Sequence, residues 1–205
     1  MSFADLLVKF RKELEDYWNN KMEPIYKRVW VRDNKIEYPV DMLKTHINDD
    51  RVTEFINTYK YSVDDFKAYI AHYFIKKVLN IRYKTDKESW DMIEYWQTPQ
   101  ETLEKGTGDC EDQTILWMKL MQLLDVPSYK CLAIGGEVVS GNNLTGHCYP
   151  VYFTGIRPVN MDLTYYSYIR KIQNRYTFKI PLNNYKTFWW AFNWKSCYKK
   201  PYWVR

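Results

Sequence analysis

Residues 113–124, QTILWMKLMQLL, place the tightest constraint on the fold. Ile115, Leu116, Trp117, Met118, Leu120, Met121, Leu123 and Leu124 cover almost the whole circumference of a helix. A helix that is apolar on most sides must be buried on most sides, so the rest of the chain has to be built around it. With 205 residues the chain is long enough to bury such a core. Just ahead lies GTGDCED, residues 106–112. Its glycines free the backbone, Asp109 has the chemistry of an N-cap, and Cys110 becomes the first residue of the central helix.

Other segments carry local signals. PQETLEK, from Pro99 to Lys105, reads as a short helix with Thr98 as its cap and proline at its first position. Ser62 with Asp65 three residues later predicts a capped helix whose apolar stripe is Phe66, Tyr69, Ile70, Tyr73, Phe74 and Val78, and residues 85–89 read as a loop. The opening residues Phe3, Leu6, Leu7, Phe10 and Leu14 fall at helical spacing, and RVWVRDNKIEYPV alternates about a turn at Asp33-Asn34. After the central helix come three strand-like stretches: SYKCLAIGGEVV, GHCYPVYFTG and RPVNMDLTYY. Turns at Asn142-Asn143 and near Gly155 separate them and predict an antiparallel sheet. Pro150 lacks an amide donor, which predicts an edge strand or a bulge. Helices, a buried helix and then a sheet make an α+β fold.

A cysteine at a helix N-terminus meets the amide donors and the positive end of the dipole, which favour the thiolate; an imidazole partner favours it further. The chain has three histidines. His72 lies off the apolar stripe and reads as a solvated surface residue, and His46 sits among polar residues. His147 opens a strand directly after a glycine, with Asp162 fifteen residues later on the next predicted strand. In an antiparallel pair that separation can bring a carboxylate beside the ring, to orient it and stabilise the imidazolium.

These residues carry a resemblance. YWQTPQETLEKGTGDCEDQTILWMKLMQLLDVP, then GHCYPVYF, then NMDLTYY resembles the transglutaminase-like superfamily, in particular its bacterial transglutaminase-like cysteine peptidases, over residues 80–166. The resemblance implies a papain-like α+β core, with Cys110 as nucleophile, His147 as general base and Asp162 as the orienting acid. Cys148, Tyr149 and Leu163 depart from residues common at those positions in the family. The backbone N–H of Cys110, with Trp96 or Gln97 from the upstream loop, would form the oxyanion hole. No cofactor is required, but Asp109 and Glu111 match positions that help bind calcium in some of these peptidases. Turned toward the thiol, the same acids would oppose its ionisation; capping the helix instead is the plainer reading.

Three regions follow from this reading: residues 1–60 as an N-terminal helical extension, 61–184 as the catalytic domain, and 185–205 as an aromatic, basic C-terminal segment. That last segment holds Trp189, Trp190, Trp194 and Trp203 without an acid, and reads as core cover or a cleft wall ahead of a recognition surface. The stretch GGEVVSGNNLTG reads as a glycine-rich, mobile lip of the cleft.

The net charge of +5 is mild, and no apolar window reaches the length of a membrane span. The first eighteen residues break up too early with charges for a signal peptide. Four cysteines without regular spacing argue against a disulfide framework or a closed zinc site. The expectation is a cytoplasmic peptidase or amidase acting on a protein or peptide, with no nucleic-acid partner and no membrane insertion. Two alternatives stand beside it: a protein-glutamine transamidase, and a catalytically silent structural protein on the same fold. Abundant lysine, asparagine and tyrosine add the expectation of an AT-rich source such as a phage, with a virion or host-cytoplasm location.

Overall fold

The computed structural model describes residues 39–154, 157–165 and 185–199, with the short segments 23–24, 30–32 and 35–37. In chain order its elements begin with β1 (Glu23–Pro24), β2 (Trp30–Arg32), β3 (Lys35–Glu37), α1 (Pro39–Met42), α2 (Asp50–Tyr59) and α3 (Asp64–Tyr73), which runs into a π-helical turn (Phe74–Val78). Then come β4 (Arg82–Tyr83), α4 (Asp86–Trp90), α5 (Pro99–Lys105), β5 (Thr107–Gly108) and α6 (Cys110–Leu123). The C-terminal half supplies β6 (Cys131–Ser140), β7 (Asn143–Thr154), β8 (Arg157–Asn160), β9 (Tyr185–Phe192) and β10 (Cys197–Lys199). The helix read at Phe3–Leu14 and the turn at Asp33-Asn34 lie outside the described residues, although β2 and β3 do pair as an antiparallel hairpin.

Helices and a sheet of strands β1-β10-β9-β6-β7-β8, antiparallel at every pairing, make the fold α+β. Alternation along the strands sends side chains to opposite faces. Cys131, Ala133, Cys148, Tyr152, Trp190 and Phe192 join the core that holds α6. Leu132, Tyr149, Val151, Phe153 and Ala191 form a second apolar cluster on the other face. Every residue of α6 from Glu111 to Met121 is buried, as its all-round apolar pattern requires. Each large apolar side chain so buried contributes about 1.5–3 kcal/mol.

The three capping signals fare differently. Thr98 and Glu101 form a reciprocal capping box on α5, Pro99 is its first residue, and Gly106 ends it at φ 64°. The same device, Thr85 with Glu88, makes helix α4 out of residues read from sequence as a loop. Ser62 does not cap α3. Val63 occupies the N-cap position, and Asp65 instead accepts from Tyr152 Oη at 2.7 Å and Thr154 Oγ1 at 3.1 Å.

The buried stripe of α3 also differs from the reading. Tyr69, Ile70 and Phe74 are buried as read, but Ala68, Ala71, His72 and Ile75 are inside with them, while Tyr73 and Val78 are exposed. Large apolar residues had marked the stripe, but the small alanines let α3 approach α6 closely, and the indole N–H of Trp117 donates to the Ala68 carbonyl at 3.3 Å. The following π turn then shifts the phase of the helix.

Strands β6 and β7 pair without interruption from Cys131↔Tyr152 to Ser140↔Asn143, joined through Gly141 at φ 61° and Asn142. The turn is therefore one residue earlier than read, and the stretch expected to be a mobile lip is a regular ladder. Pro150 sits on an inner strand rather than an edge. Its carbonyl accepts from the Met161 amide at 2.8 Å, so its nitrogen faces the same side, where β8 is ending and no further amide is needed. Strand β9 opens the segment set apart by sequence as aromatic and basic, and it lies between β6 and β10.

Candidate active site

Because β8 ends at Asn160, the first half of β7 is left with an open edge, and the N-terminus of α6 meets it. The amide of Cys148 faces that edge and donates to Cys110 Sγ at 3.4 Å. A cavity of about 290 Å³ opens at this junction. Tyr83, Glu94, Trp96, Asp109, Cys110 and Glu111 line one part of it; Gly135, Gly146, His147, Cys148, Trp189 and Trp190 line the rest. Cys110 and His147 thus share one cavity.

Asp162 lies in the bend after β8 rather than on the strand itself. Its amide donates to Asn160 Oδ1 at 2.9 Å, and its own Oδ1 accepts from the amides of Thr164 at 2.7 Å and Tyr165 at 3.3 Å. Oδ2 then meets His147 Nε2 at 2.7 Å and accepts from Tyr185 Oη at 2.6 Å. Burial pushes the Asp162 carboxyl up, but the hydrogen bond and charge of His147, with the bonds from Tyr185 and Thr164, outweigh it and hold the group below the ordinary carboxylate range. An ionised carboxylate only accepts, so the ring proton belongs on Nε2 and the lone pair on Nδ1. Tyr149, Tyr165 and Tyr185 surround the ring at 4.9–6.3 Å between centroids.

The other two histidines part company. His72 is buried rather than solvated, with Nε2 3.2 Å from the Asp162 carbonyl oxygen, because α3 packs its alanine face inward and carries His72 with it. His46 is exposed and borders a separate cavity with Ile47, Val52 and Ile56.

Around the thiol the balance is reversed. Asp109 holds the N-cap position of α6, and Asp112 Oδ2 accepts from its amide at 3.2 Å. Cys110 Sγ donates to Glu111 Oε2 at 3.1 Å. Glu111 Oε1, Asp109 Oδ1 and Asp86 Oδ1 are buried and have no hydrogen-bond partner among the described residues. Oxygens of Asp86, Glu94 and Glu111 lie within 4.8 Å of one another, as do those of Asp86, Asp109 and Asp112. Burial raises all four buried acids, Asp86 to about 7, and Asp109 adds like charge to the other three. Cys110 is likewise pushed well above the ordinary thiol value, by burial first and then by Glu111 and Asp109. The acids that flank the cysteine do oppose its ionisation in this arrangement.

Trp96 lines the cavity, its indole N–H donating to Glu94 Oε1 at 2.7 Å. Gln97 is fully buried behind the wall; its backbone and side-chain N–H groups donate to Asp112 at 2.7 Å and 2.6 Å. Sequence reading passed over Asp86, Glu94 and Tyr185. Their only signal was residue type, since each reaches the site from a separate element.

No family profile matches the chain, and no curated protein matches it significantly. Solved structures do. The chain is similar to Legionella pneumophila LapG in its calcium-bound form, with a TM-score of 0.56 and 20% identity over 78% of this chain and 85% of that one. An EGTA-treated form of LapG matches at 19% identity over 80% and 84%. The chain shares their transglutaminase-like α+β fold. Among the described residues, no helix is long and apolar enough to cross a membrane.

Proposed function

We propose that the protein is a cysteine peptidase in which Cys110, His147 and Asp162 act together on a peptide bond. The observation that carries this reading is the Nε2–Asp162 bond, which leaves Nδ1 of a cavity-lining imidazole to serve a thiol at a helix start on the same cavity. His147 Nδ1 takes the Sγ proton as sulfur attacks the carbonyl carbon, and the carbonyl π electrons move to oxygen. The tetrahedral species collapses with cleavage of the C–N bond, and His147 Nδ1–H protonates the leaving amine. Water, losing a proton to Nδ1, then attacks the thioester; a carboxylic acid leaves and the thiol is restored.

Backbone N–H of Cys110 at the helix start is one oxyanion donor. Trp96 is the better candidate for the second, because it lines the cavity and its N–H is held by an exposed carboxylate, whereas the Gln97 donors found here are committed to Asp112.

Calcium fits the acidic wall. The donors are hard carboxylate oxygens, and two deeply buried residues, Glu111 and Asp86, each keep an oxygen with no partner among the described residues. Asp109, Glu111, Asp86 and Glu94 are the residues that would hold it. Its positive charge would offset the carboxylates that now keep the Cys110 thiol protonated. The calcium-bound and EGTA-treated forms of LapG support the same reading.

Incubation with a casein-like substrate and a labelled primary amine, with calcium and with EGTA, tests the proposal. New N-termini are expected with the native protein, and at least about 10⁴-fold fewer with Cys110→Ala. Amine incorporation instead of cleavage identifies a transamidase, and neither outcome leaves a structural protein on this fold.

A further inference from the structure

Tyr185 stands 23 residues beyond Asp162 in the chain, yet its hydroxyl lies 2.6 Å from the carboxylate oxygen that also meets His147. It is the first residue of β9, where it pairs with Val138 of β6 beside a register shift. Its ring packs on Tyr149 with centroids 4.5 Å apart. The phenol is thus held from the sheet side, and its one polar atom is aimed at a fully buried carboxylate.

The bonds on Asp162 divide the work. Two backbone amides fix Oδ1, and they come from the same bend as the aspartate itself. Oδ2 carries the contact with His147, and Tyr185 is the donor to it that comes from another element. A carboxylate held at Oδ1 alone can still rotate about its own bonds and carry Oδ2 away from the ring. A second donor on Oδ2 removes that freedom and shares the negative charge that Nε2–H would otherwise meet alone.

We propose that Tyr185 is a positioning residue: through its hydroxyl bond to Asp162 Oδ2 it fixes the orientation of His147 and moderates the strength of the Nε2–H···Oδ2 bond. The proposal rests on the peptidase reading for its consequence in catalysis, and on the geometry alone for the bond. The effect of Tyr185 passes through the aspartate.

Tyr185→Phe in the full chain removes the hydroxyl and keeps the ring packed on Tyr149. The hydrogen-bonded Nε2–H proton of His147, assigned by its loss in His147→Gln, is read by NMR without substrate. With one donor fewer on Oδ2, that resonance is expected to move downfield, while kcat for the casein-like substrate falls about tenfold or more and KM stays within about twofold. Should Tyr185→Phe not fold, 3-fluorotyrosine at position 185 keeps the full side chain. Its more acidic phenol donates more strongly and is expected to move the resonance upfield. A resonance unmoved by either replacement, or a kcat within twofold of the native value in Tyr185→Phe, overturns the positioning role. Absence of Cys110-dependent cleavage in the native protein, with the resonance still responding, overturns the peptidase reading and the catalytic use of Tyr185, and leaves the bond itself in place.

Discussion

The two sides of the cavity hold carboxylates whose surroundings push their ionisation in opposite directions. On the sheet side, Asp162 receives His147, Tyr185 and two backbone amides, and is held ionised. On the helix side, Glu111, Asp109 and Asp86 each keep a buried oxygen with no partner among the described residues, and burial raises all three. Burial alone therefore does not decide the charge of an acid, and neither do neutral donors: Asp112 accepts three N–H bonds yet is pushed up by burial and by Asp109 beside it, whereas the hydrogen bond and charge of His147 bring Asp162 down. The first side is complete within the protein. The second gathers acids around the thiol, and with burial they hold it protonated.

Single substitutions on each side should therefore act in opposite directions on Cys110. Asp162→Asn should lower kcat/KM by about 10²–10⁴-fold, because the ring loses the acceptor that sets its tautomer. It should also slow alkylation of Cys110 by iodoacetamide. Glu111→Gln should speed that alkylation in EGTA, since it removes the largest opposing charge beside the sulfur, yet it should abolish the response to calcium. Equal effects of the two variants on the alkylation rate would erase the contrast between the sides.

Calcium should stabilise the protein through the helix side only. At about a hundredfold excess over Kd, binding adds about 2.7 kcal/mol, which calorimetry would read as a rise of about 5–10 °C in Tm. The rise should persist in Asp162→Asn and vanish in Glu111→Gln.

Changes of pH separate the sides as well. A carboxyl raised by folding is protonated in both states below its ordinary value of about 4 and contributes no dependence there. As pH climbs from about 4 toward the Asp86 value of about 7, the unfolded chain loses protons that the folded one retains, so stability falls with rising pH. The depressed Asp162 runs the other way: its contribution is fully present above about 4 and is lost as pH falls through its folded value. Thermal unfolding in EGTA should show a lower Tm at pH 7.5 than at pH 5.5, and saturating calcium should flatten that slope.

The smallest expected effects concern packing. An added Cβ at Gly135 would enter the Trp190 ring on the sheet side, and one at Gly108 would lie 2.6 Å from Asp112 Cβ on the helix side. Either alanine should cost about 1–3 kcal/mol in chemical denaturation. Only Gly108→Ala should also weaken calcium binding, because Asp112 holds the amides of Asp109 and Gln97 in place.

Sequence alone determined the elements whose causes lie within a few residues. The all-round apolar face of α6, the Thr98–Glu101 box on α5 and the alternation of β6 and β7 are local patterns, and each is present. The same kind of reasoning singled out Cys110, His147 and Asp162; the structure puts the first two on one cavity and Asp162, just past the end of β8, against the His147 ring. Tertiary structure decided the rest. His72 went inside because Ala68 and Ala71 let α3 close on α6, and a small-residue face looks like no stripe at all in an apolar pattern. Asp86, Glu94 and Glu111 converge from three places along the chain, and Tyr185 reaches Asp162 because β9 inserts between β6 and β10 rather than trailing behind the domain. Side-chain periodicity reports which face of an element is apolar; it carries no information on which distant element will cover that face, and the partners of a buried charge are set by that choice.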